Sequence, residues 1–297
     1  MLFEIYGTIL NSDIDLSPLG LRKLEETKTL NPDAINLEFF LAKNMFLERD
    51  MLDNQTMVNN QYGYYYKKNL CIYEFFDGST IRITYQNQLT KEILYPLLNY
   101  PLAAIFYQRK NLVMHASAIR YKNKTFLFPG TTMSGKSSIA AYMIDIGAKL
   151  ITEDICIISF VNKDPYAISS YPTIKISDEL KENFTTSKEK DDIFFQEKNN
   201  RRVYQLNNTQ FLNKKSKIDF IIFPEWSRSK NYDFFEIKKS VSLKKILQSS
   251  FFSYADFNQE DFFKMNVCLT EGVRCFQFKR YKDFFSFKYL DEFISKI

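Results

Sequence analysis

The alternation of apolar and polar residues predicts a β-rich first third of the chain. Residues 62–66, 71–76 and 80–85 each have the pattern of a half-buried strand. The dipeptide Asp77-Gly78 separates the last two segments, and it is typical of a tight β-hairpin. The pattern therefore predicts three strands in this region, two of them joined as a hairpin.

Residues 90–109 carry apolar side chains at helical spacing instead. Pro96 and Pro101 interrupt that pattern. A proline inside a helix removes a backbone hydrogen bond and clashes with the preceding turn. We therefore predict two short helices in this segment.

After about residue 110, predicted strands and helices alternate, which is typical of an α/β domain. The predicted strands are 111–114, 117–121, 124–129, 149–152, 155–160 and 218–223, and the predicted helices are 136–146, 240–248, 258–266 and 289–297. Gly147 is a candidate C-terminal cap for the first of these helices. We divide the chain into a β-rich region at residues 1–108, a candidate for substrate recognition, and an α/β domain at residues 109–297.

Composition argues against several classes of protein. The chain has 297 residues, of which 45% are hydrophobic and 25% are charged, as in an ordinary globular protein. A net charge of +5 gives no sign of nucleic-acid binding. Four cysteines without a Cys-x-x-Cys pair, together with one histidine, do not fit a structural zinc site. No apolar run reaches the ~18 residues of a membrane span, and the first ten residues lack a signal-peptide pattern, so we expect a cytoplasmic protein.

The clearest motif lies at residues 130–137, where Gly-Thr-Thr-Met-Ser-Gly-Lys-Ser matches G-x-x-x-x-G-K-[ST] at every fixed position. In this phosphate loop, or Walker A motif, glycines let backbone N–H groups point at phosphate oxygens, the lysine adds a cation, and the hydroxyl is a Mg²⁺ ligand. A predicted strand precedes the motif and a predicted helix follows it, as the motif requires. We therefore predict a site for ATP and Mg²⁺. The predicted nucleotide-binding residues are Gly130, Thr131, Ser134, Gly135, Lys136, Ser137 and Ser138.

An acidic pair, Glu153-Asp154, follows the apolar strand at 149–152. Next to a phosphate loop, one carboxylate could hold the metal ion while the other accepts the proton of an attacking hydroxyl. We expect Asp154 to bind the metal with Ser137 and Glu153 to be the proton acceptor, with the reversed assignment as the alternative. A polar turn without a chemical role is the other interpretation of this pair.

The same pair leads to two expectations about the fold. We expect the strand at 149–152 to run beside the strand at 124–128, which would bring the pair close to the γ-phosphate. Adjacent residues on a strand point to opposite faces. Both carboxylates can therefore face one site only if the strand ends or bulges at Thr152 or Glu153.

The residues around the motif resemble the HPr kinase/phosphorylase-like proteins, whose P-loop core is shared with phosphoenolpyruvate carboxykinase. The resemblance is strong over residues 100–160, looser to 297 and vague before 100. It is closest to the HPr-kinase-related peptide kinases of natural-product pathways, which include those that phosphorylate lasso-peptide precursors. The segments that carry it are Gln108-Arg109, Leu112-Val113-Met114-His115-Ala116-Ser117-Ala118, the phosphate loop, and Gly147 with Leu150-Ile151-Thr152-Glu153-Asp154.

This resemblance implies a catalytic set of His115, Lys136, Glu153 and Asp154, and a metal site at Ser137 and Asp154. His115 would hydrogen-bond one member of the acidic pair and hold it ionised. Glu153 stands where the family has its first aspartate, the expected general base, so the longer side chain moves that carboxylate. The Pro- and Gly-rich arginine loop of true HPr kinases is not found, which argues against HPr as the substrate. Family members form oligomers, so the resemblance allows a homo-oligomer.

The sequence thus predicts an ATP-dependent kinase that transfers the γ-phosphate to a Ser/Thr hydroxyl of a peptide or protein. A small-molecule kinase on the same scaffold and a nucleotide-binding switch without transfer are the alternatives. Arg201 or Arg202, which follow a polar stretch at 185–200, are further candidates for anion binding.

Overall fold

The computed structural model describes residues 1–25, 33–42, 53–184, 193–197, 200–252, 259–281, 283 and 286–297. The chain divides into two compact units, one formed by Met1–Val113 with Phe252–Phe262 and the other by Met114–Phe251 with Phe263–Ile297. Strands dominate both units and a few helices accompany them, so the chain is a mixed α/β protein, as predicted. No helix in the described ranges is long and apolar enough to cross a membrane.

The first unit is built on a twisted mixed sheet. Its strands are β1 Leu2–Ile5, β2 Thr8–Ser12, β3 Arg22–Lys23, β4 Ile35–Leu41, β5 Thr56–Val58, β6 Tyr62–Lys67, β7 Cys71–Phe76 and β8 Thr80–Tyr85. Over the residues described, their order in the sheet is β3-β1-β2-β4-β8-β7-β6-β5. The predicted hairpin is confirmed, since β7 and β8 pair antiparallel. Asp77 and Gly78 both have positive φ, a conformation that Asp and Gly tolerate better than most residues. The pairing of Phe76 with Thr80 leaves three residues, 77–79, in the connection.

Two short helices follow, α1 Lys91–Leu97 and α2 Tyr100–Gln108, which confirms the prediction for this segment. Pro101 lies in the first turn of α2, where a missing N–H costs nothing. Pro96 lies near the end of α1 rather than beyond it. Residues 101–108 of α2 are all buried, so this helix belongs to the core of the first unit.

The second unit contains a larger sheet, a three-stranded sheet and four helices among its described residues. The strands are β9 Leu112–Tyr121, β10 Lys124–Pro129, β11 Lys149–Thr152, β12 Ile155–Val161, β13 Asp164–Ala167, β14 Thr173–Ser177, β15 Ile193–Glu197, β16 Arg201–Gln205, β17 Ser216–Lys217, β18 Phe220–Trp226, β19 Asp233–Glu236 and β20 Arg274–Arg280. The helices are α3 Lys136–Asp145, α4 Lys239–Ser249, α5 Gln259–Gly272 and α6 Ser286–Ile294.

The large sheet has the order β17-β13-β12-β9-β10-β18-β20-β19, and β11 also pairs with β9. Strands β14, β16 and β15 form the small sheet in that order. Strand β10 is antiparallel to β9 but parallel to β18, and β18 is parallel to β20. The carboxyl ends of β10, β18 and β20 therefore lie at one edge of the sheet, which is where ligands bind in open α/β sheets.

Several predicted elements need correction. The strands expected at 111–114 and 117–121 are the single strand β9, because the half-buried His115 continues the extended pattern instead of interrupting it. Strand β11 runs beside β9 and not, as expected, beside the strand at 124–128. Both edges of β10 are already occupied, by β9 and β18, so β11 has no access to it.

Other boundaries moved by a few residues. Strand β18 begins at Phe220 and continues past the predicted end to Trp226. Helix α5 extends to Gly272, and Asn258, its predicted first residue, lies outside the described residues. Helix α6 begins at Ser286 rather than Tyr289. Of the polar stretch predicted at 185–200, the structure describes the strand β15 and residue 200.

A hydrophobic core connects α3 to the sheet and fixes where the helix begins. Ile139, Ala140 and Met143 of α3 are fully buried against apolar residues of β10, β18 and β20. Burial of apolar surface contributes about 25 cal/mol per Å², so these contacts hold α3 against the sheet. The segment 130–135 is therefore held between two well-packed elements.

Candidate functional site

The loop between β10 and α3 needs glycine at both fixed positions of its motif. Gly135 has φ +93°, and a Cβ there would lie 2.3 Å from Nη2 of Arg280. A Cβ on Gly130 would lie 2.6 Å from Oγ of Ser134. Real Cβ atoms do not approach other atoms so closely, so a side chain at either position would displace a neighbour. The fold thus explains both glycines through contacts of this chain.

Lys136 is the first residue of α3, and its ammonium group folds back over the loop. It donates hydrogen bonds to the carbonyls of Gly130 at 2.9 Å and Thr131 at 2.8 Å. Burial lowers the pKa of Lys136 to about 8, against the opposing effect of the nearby carboxylates. Lys136 therefore stays mainly protonated at neutral pH. Its cation contacts neutral carbonyls, which an anionic ligand could replace.

One polar group of the loop itself is also left without a partner. The Ser134 hydroxyl oxygen is buried and has no hydrogen-bond partner among the residues described. The backbone N–H of Gly130 binds the carbonyl of His115, and that of Ser134 binds the carbonyl of Thr131. Buried polar atoms are almost always hydrogen-bonded in a folded protein. An orphaned hydroxyl at the start of a helix is consistent with a site that accepts an anion.

The expected strand end at the acidic pair is present. Strand β11 ends at Thr152, after a shift of register against β9 between Leu150 and Thr152. Asp154 then has φ +70°, a conformation that aspartate tolerates better than most residues. This break in the strand lets Glu153 and Asp154 face one cluster of polar groups.

Glu153 contacts the helix that follows the loop. The Ser137 hydroxyl donates a hydrogen bond of 2.5 Å to Oε1 of Glu153. Burial, followed by the negative charge of Asp154, raises the pKa of Glu153 above its usual range. The structure thus places Ser137 beside Glu153 and not beside Asp154, which was the partner expected from the sequence.

Asp154 is held by two other groups. Its Oδ2 accepts a hydrogen bond of 2.7 Å from the Lys175 ammonium, and its Oδ1 lies 3.3 Å from Nε2 of His115. Burial alone would raise the pKa of Asp154, but the cation of Lys175 and the other positive charges outweigh it and lower the pKa. Asp154 is therefore ionised across the physiological range.

From the sequence, we expected His115 to contact one member of the pair and to keep it ionised. The contact is present, but burial and the charge of Lys136 lower the pKa of His115 to about 4. A neutral imidazole can donate a hydrogen bond to Asp154 yet adds no charge to it. The largest positive charge acting on Asp154 is that of Lys175, and Lys136 adds a smaller contribution. The His115 ring also stacks on Phe251 at 5.7 Å.

Lys175 was not predicted as a site residue. It lies in β14, where Ile174 and Ile176 belong to the hydrophobic core, so Lys175 points to the opposite face of the strand. Only 5% of Lys175 is exposed. The available signal was a lysine between two isoleucines in an apolar strand, since a buried lysine needs a partner.

The two candidate arginines differ in position. In the register of β14 and β16, Arg201 lies opposite Ser177, and Arg202 lies opposite Ile176. Directly paired residues share a face of the sheet, so Arg201 is on the face of Lys175 and Arg202 is on the other. Arg202 forms an ion pair with Asp178. Of the two, Arg201 faces the acidic pair, and its charge contributes to lowering the pKa of both Lys136 and Glu153.

Two more residues contact the loop and were missed. The indole Nε1 of Trp226 donates a hydrogen bond of 2.7 Å to the carbonyl of Met133. The Arg280 guanidinium lies 4.1 Å from the Trp226 ring centre and 4.6 Å from that of Phe287. Arg280 is 1% exposed, and among the described residues its Nε and Nη2 have no hydrogen-bond partner. Burial lowers its pKa to about 10, so it keeps its charge at neutral pH.

Comparison with known proteins adds little to this geometry. No family model and no curated protein matches the chain. Among solved structures, the chain is similar to the Hpr(Ser) kinase/phosphatase from Coxiella burnetii, with 11% sequence identity and a TM-score of 0.32, over 62% of this chain and 97% of that one.

The donor set at the site fits a magnesium ion that is held jointly with phosphate. In the described ranges, no group of three or more His, Cys, Asp or Glu side chains is close enough to hold a metal ion. Mg²⁺ is commonly bound by one or two carboxylates together with substrate phosphates. The Ser137 hydroxyl and the Glu153 carboxylate, in contact at the start of α3, are the side chains that would hold it.

Proposed function

We propose that this chain is an ATP- and Mg²⁺-dependent kinase with an HPr-kinase-like P-loop core, and that it transfers the γ-phosphate to a Ser/Thr hydroxyl of a peptide or protein. One observation carries the proposal: the helix that follows the phosphate loop contacts the Glu153 carboxylate through Ser137. The adjacent Asp154 is kept ionised by its ion pair with the buried Lys175. A nucleotide site alone would not need the second carboxylate.

Binding would use groups that the loop leaves available. The helix N-terminus of α3, the Lys136 ammonium and the Ser134 hydroxyl would contact the phosphates, with Gly130, Thr131, Gly135 and Ser138 shaping the surrounding backbone. Lys136 would exchange its two carbonyl partners for phosphate oxygens. Because phosphate is anionic, this exchange strengthens its hydrogen bonds.

The contacts support a reversal of the roles expected for the acidic pair. Glu153 would hold Mg²⁺ with Ser137, since the two oxygens are already in contact. Bound Mg²⁺ would neutralise charge on the phosphates. Asp154 would accept the hydrogen bond of the attacking hydroxyl, with His115 and Lys175 fixing its orientation. Phosphoryl transfer has a loose transition state that makes little demand on base strength, so an aspartate with a lowered pKa suffices.

Incubation with γ-labelled ATP and Mg²⁺ tests this proposal, with serine-containing peptides and hydroxyl metabolites offered in parallel. We expect label on a peptide serine or threonine, and none with Lys136→Ala. Lys149→Ala is a matched control, because Lys149 binds the carbonyl of Asn208 and not the loop. Label on a metabolite would favour a small-molecule kinase. Nucleotide binding without any turnover would instead favour a switch and would contradict transfer.

A further inference from the structure

The parallel strands β10, β18 and β20 end at the edge of the sheet where the phosphate loop lies. The loop follows the end of β10 at Pro129, while β18 and β20 end at Trp226 and Arg280, which are paired with each other in the sheet. Ligands of open α/β sheets lie beyond the carboxyl ends of the strands. A nucleotide whose phosphates occupy the loop can place its base beside one of these neighbouring strand ends.

Trp226 is fixed in place at that edge. Its N–H binds the Met133 carbonyl, and the buried Arg280 guanidinium covers one face of its ring. A Cβ on Gly135 would lie 3.2 Å from the Trp226 ring, so the indole touches the same turn that precedes Lys136. Despite these contacts, Trp226 is 39% exposed. The ring is thus covered by Arg280 on one face, while part of Trp226 remains open to solvent.

Met133 extends the exposed apolar surface from the loop side. Its side chain is 75% exposed, one of the most exposed large apolar side chains among the described residues. Its backbone has φ +67°, which costs energy for a residue other than glycine. The carbonyl of the same residue binds the Trp226 indole, and an exposed thioether offers a soft apolar surface that contacts aromatic rings favourably.

We propose that the exposed surface of Trp226 and the side chain of Met133 form the binding surface for the base of a purine nucleotide. This inference rests on the proposed function, because the loop must first bind the nucleotide's phosphates. A flat heterocycle can stack on the indole while the phosphates remain at the loop, one ribose away. Base stacking on an aromatic side chain contributes about 1–3 kcal/mol. That is enough for a nucleotide to bind measurably more tightly than inorganic phosphates that lack a base.

The chain offers a direct probe, since Trp226 is its one tryptophan. We expect Mg·ATP to change the Trp226 emission in a saturable way. Inorganic tripolyphosphate, which has no base, should compete for the loop with a much smaller change in emission. A tripolyphosphate signal equal to that of ATP would contradict stacking.

Calorimetric titration of variants separates the base site from the phosphate site. Trp226→Ala should weaken ATP binding by about 5- to 150-fold, the range that corresponds to one stacked base, and change tripolyphosphate binding by less than about twofold. Trp226→Phe keeps a ring but loses the hydrogen bond to Met133, and should retain most of the preference for ATP. Phe263→Ala, which removes another exposed aromatic side chain of the same unit, is the matched control and should alter neither ligand.

Met133→Ala gives an independent test if Trp226→Ala does not fold, because it leaves the backbone carbonyl in place. It should weaken ATP binding by a few-fold and leave tripolyphosphate unchanged. If these variants weakened the binding of ATP and of tripolyphosphate equally, Trp226 and Met133 would only stabilise the loop. That result would overturn the inference. If wild-type protein bound neither ligand, the proposed function would fail first and the base site with it.

Discussion

The two units differ in how they treat buried polar side chains. In the first unit, Gln108 accepts a hydrogen bond from the N–H of Gly78, and Arg109 donates to the carbonyls of Gly78 and Asp33. These bonds tie the end of α2 to the β7–β8 hairpin. In the second unit, the Lys136 cation binds only loop carbonyls, and two nitrogens of Arg280 have no partner among the described residues. A buried polar group that is satisfied within the fold needs no ligand, whereas an unsatisfied one needs a further explanation, of which a bound ligand is one.

This difference changes the interpretation of one segment that contributed to the family resemblance. Gln108-Arg109 contributed to the family resemblance, yet within the first unit these residues anchor a helix to a turn. His115, in the same stretch of sequence, contacts Asp154 in the second unit. Neighbouring residues of one motif can thus serve stability and the candidate site separately.

The largest expected effect is that of Asp154→Asn. Because this variant keeps the shape of the side chain but loses its charge, we expect phosphoryl transfer to fall by about 10²–10⁴-fold, as for a lost general base. Nucleotide binding should persist. Single-turnover assays with γ-labelled ATP, alongside calorimetric binding, check both parts.

Asp164→Asn is the matched control for this experiment, since Asp164 pairs with Lys217 on the surface and should leave transfer unchanged. The roles expected from the sequence would be restored by the opposite result. Asp154→Asn would then stay active, while Glu153→Gln would lose transfer but bind Mg²⁺ normally.

The second prediction concerns Mg²⁺ and pH. Glu153 can hold a cation only when it is deprotonated, and its pKa is raised above the ordinary glutamate value of about 4.3. The apparent Mg²⁺ affinity should therefore fall as pH falls, by about tenfold per pH unit once the pH is below that raised pKa. Mg²⁺ titrations in the presence of ATP at several pH values measure this dependence.

Glu153→Gln should weaken Mg²⁺ binding and remove this pH dependence. Glu225→Gln provides the control, because Glu225 pairs with Lys245 at the surface. If the Mg²⁺ affinity of Glu153→Gln still varied with pH as in the wild type, Glu153 would not be the titrating ligand.

The third prediction tests the buried lysine. In Lys175→Met, Asp154 loses the cation that lowers its pKa, and an opposite charge at this distance is worth about 1–3 pKa units. The acidic limb of the pH–rate profile should therefore shift to higher pH by about that amount. On acidification, the variant should lose transfer at a higher pH than the wild type does. Lys175→Arg should restore the profile at least in part. An unshifted limb in Lys175→Met would remove Lys175 from the site.

Features that depend on neighbouring residues were predicted well from the sequence, whereas features that depend on long-range strand pairing were not. The Asp77-Gly78 hairpin and the strand–loop–helix around the motif depend on neighbouring residues, and both are present. The position of β11 depends on which edges of other strands are free, and the expected neighbour was wrong. Lys175 and Arg280 reach the site through sheet register and strand order, so no spacing in the sequence identifies them. The roles of the site residues remain predictions.

The smallest expected effect on nucleotide binding is that of Arg109→Met, and it tests the comparison from the structural side. The variant removes the side-chain donor to the partly buried carbonyl of Gly78. It also removes one of two donors to the carbonyl of Asp33, which Thr8 continues to bind. Removing one partner of such a bond typically costs about 1–3 kcal/mol of stability. We therefore expect the free energy of unfolding, measured in urea, to fall by about that amount, while the Kd for ATP stays within about twofold. Arg22→Met, at an exposed position in β3 of the same unit, should change neither quantity. A large loss of ATP binding by folded Arg109→Met would show that polar groups of the first unit also serve the nucleotide, and the contrast between the units would then be wrong.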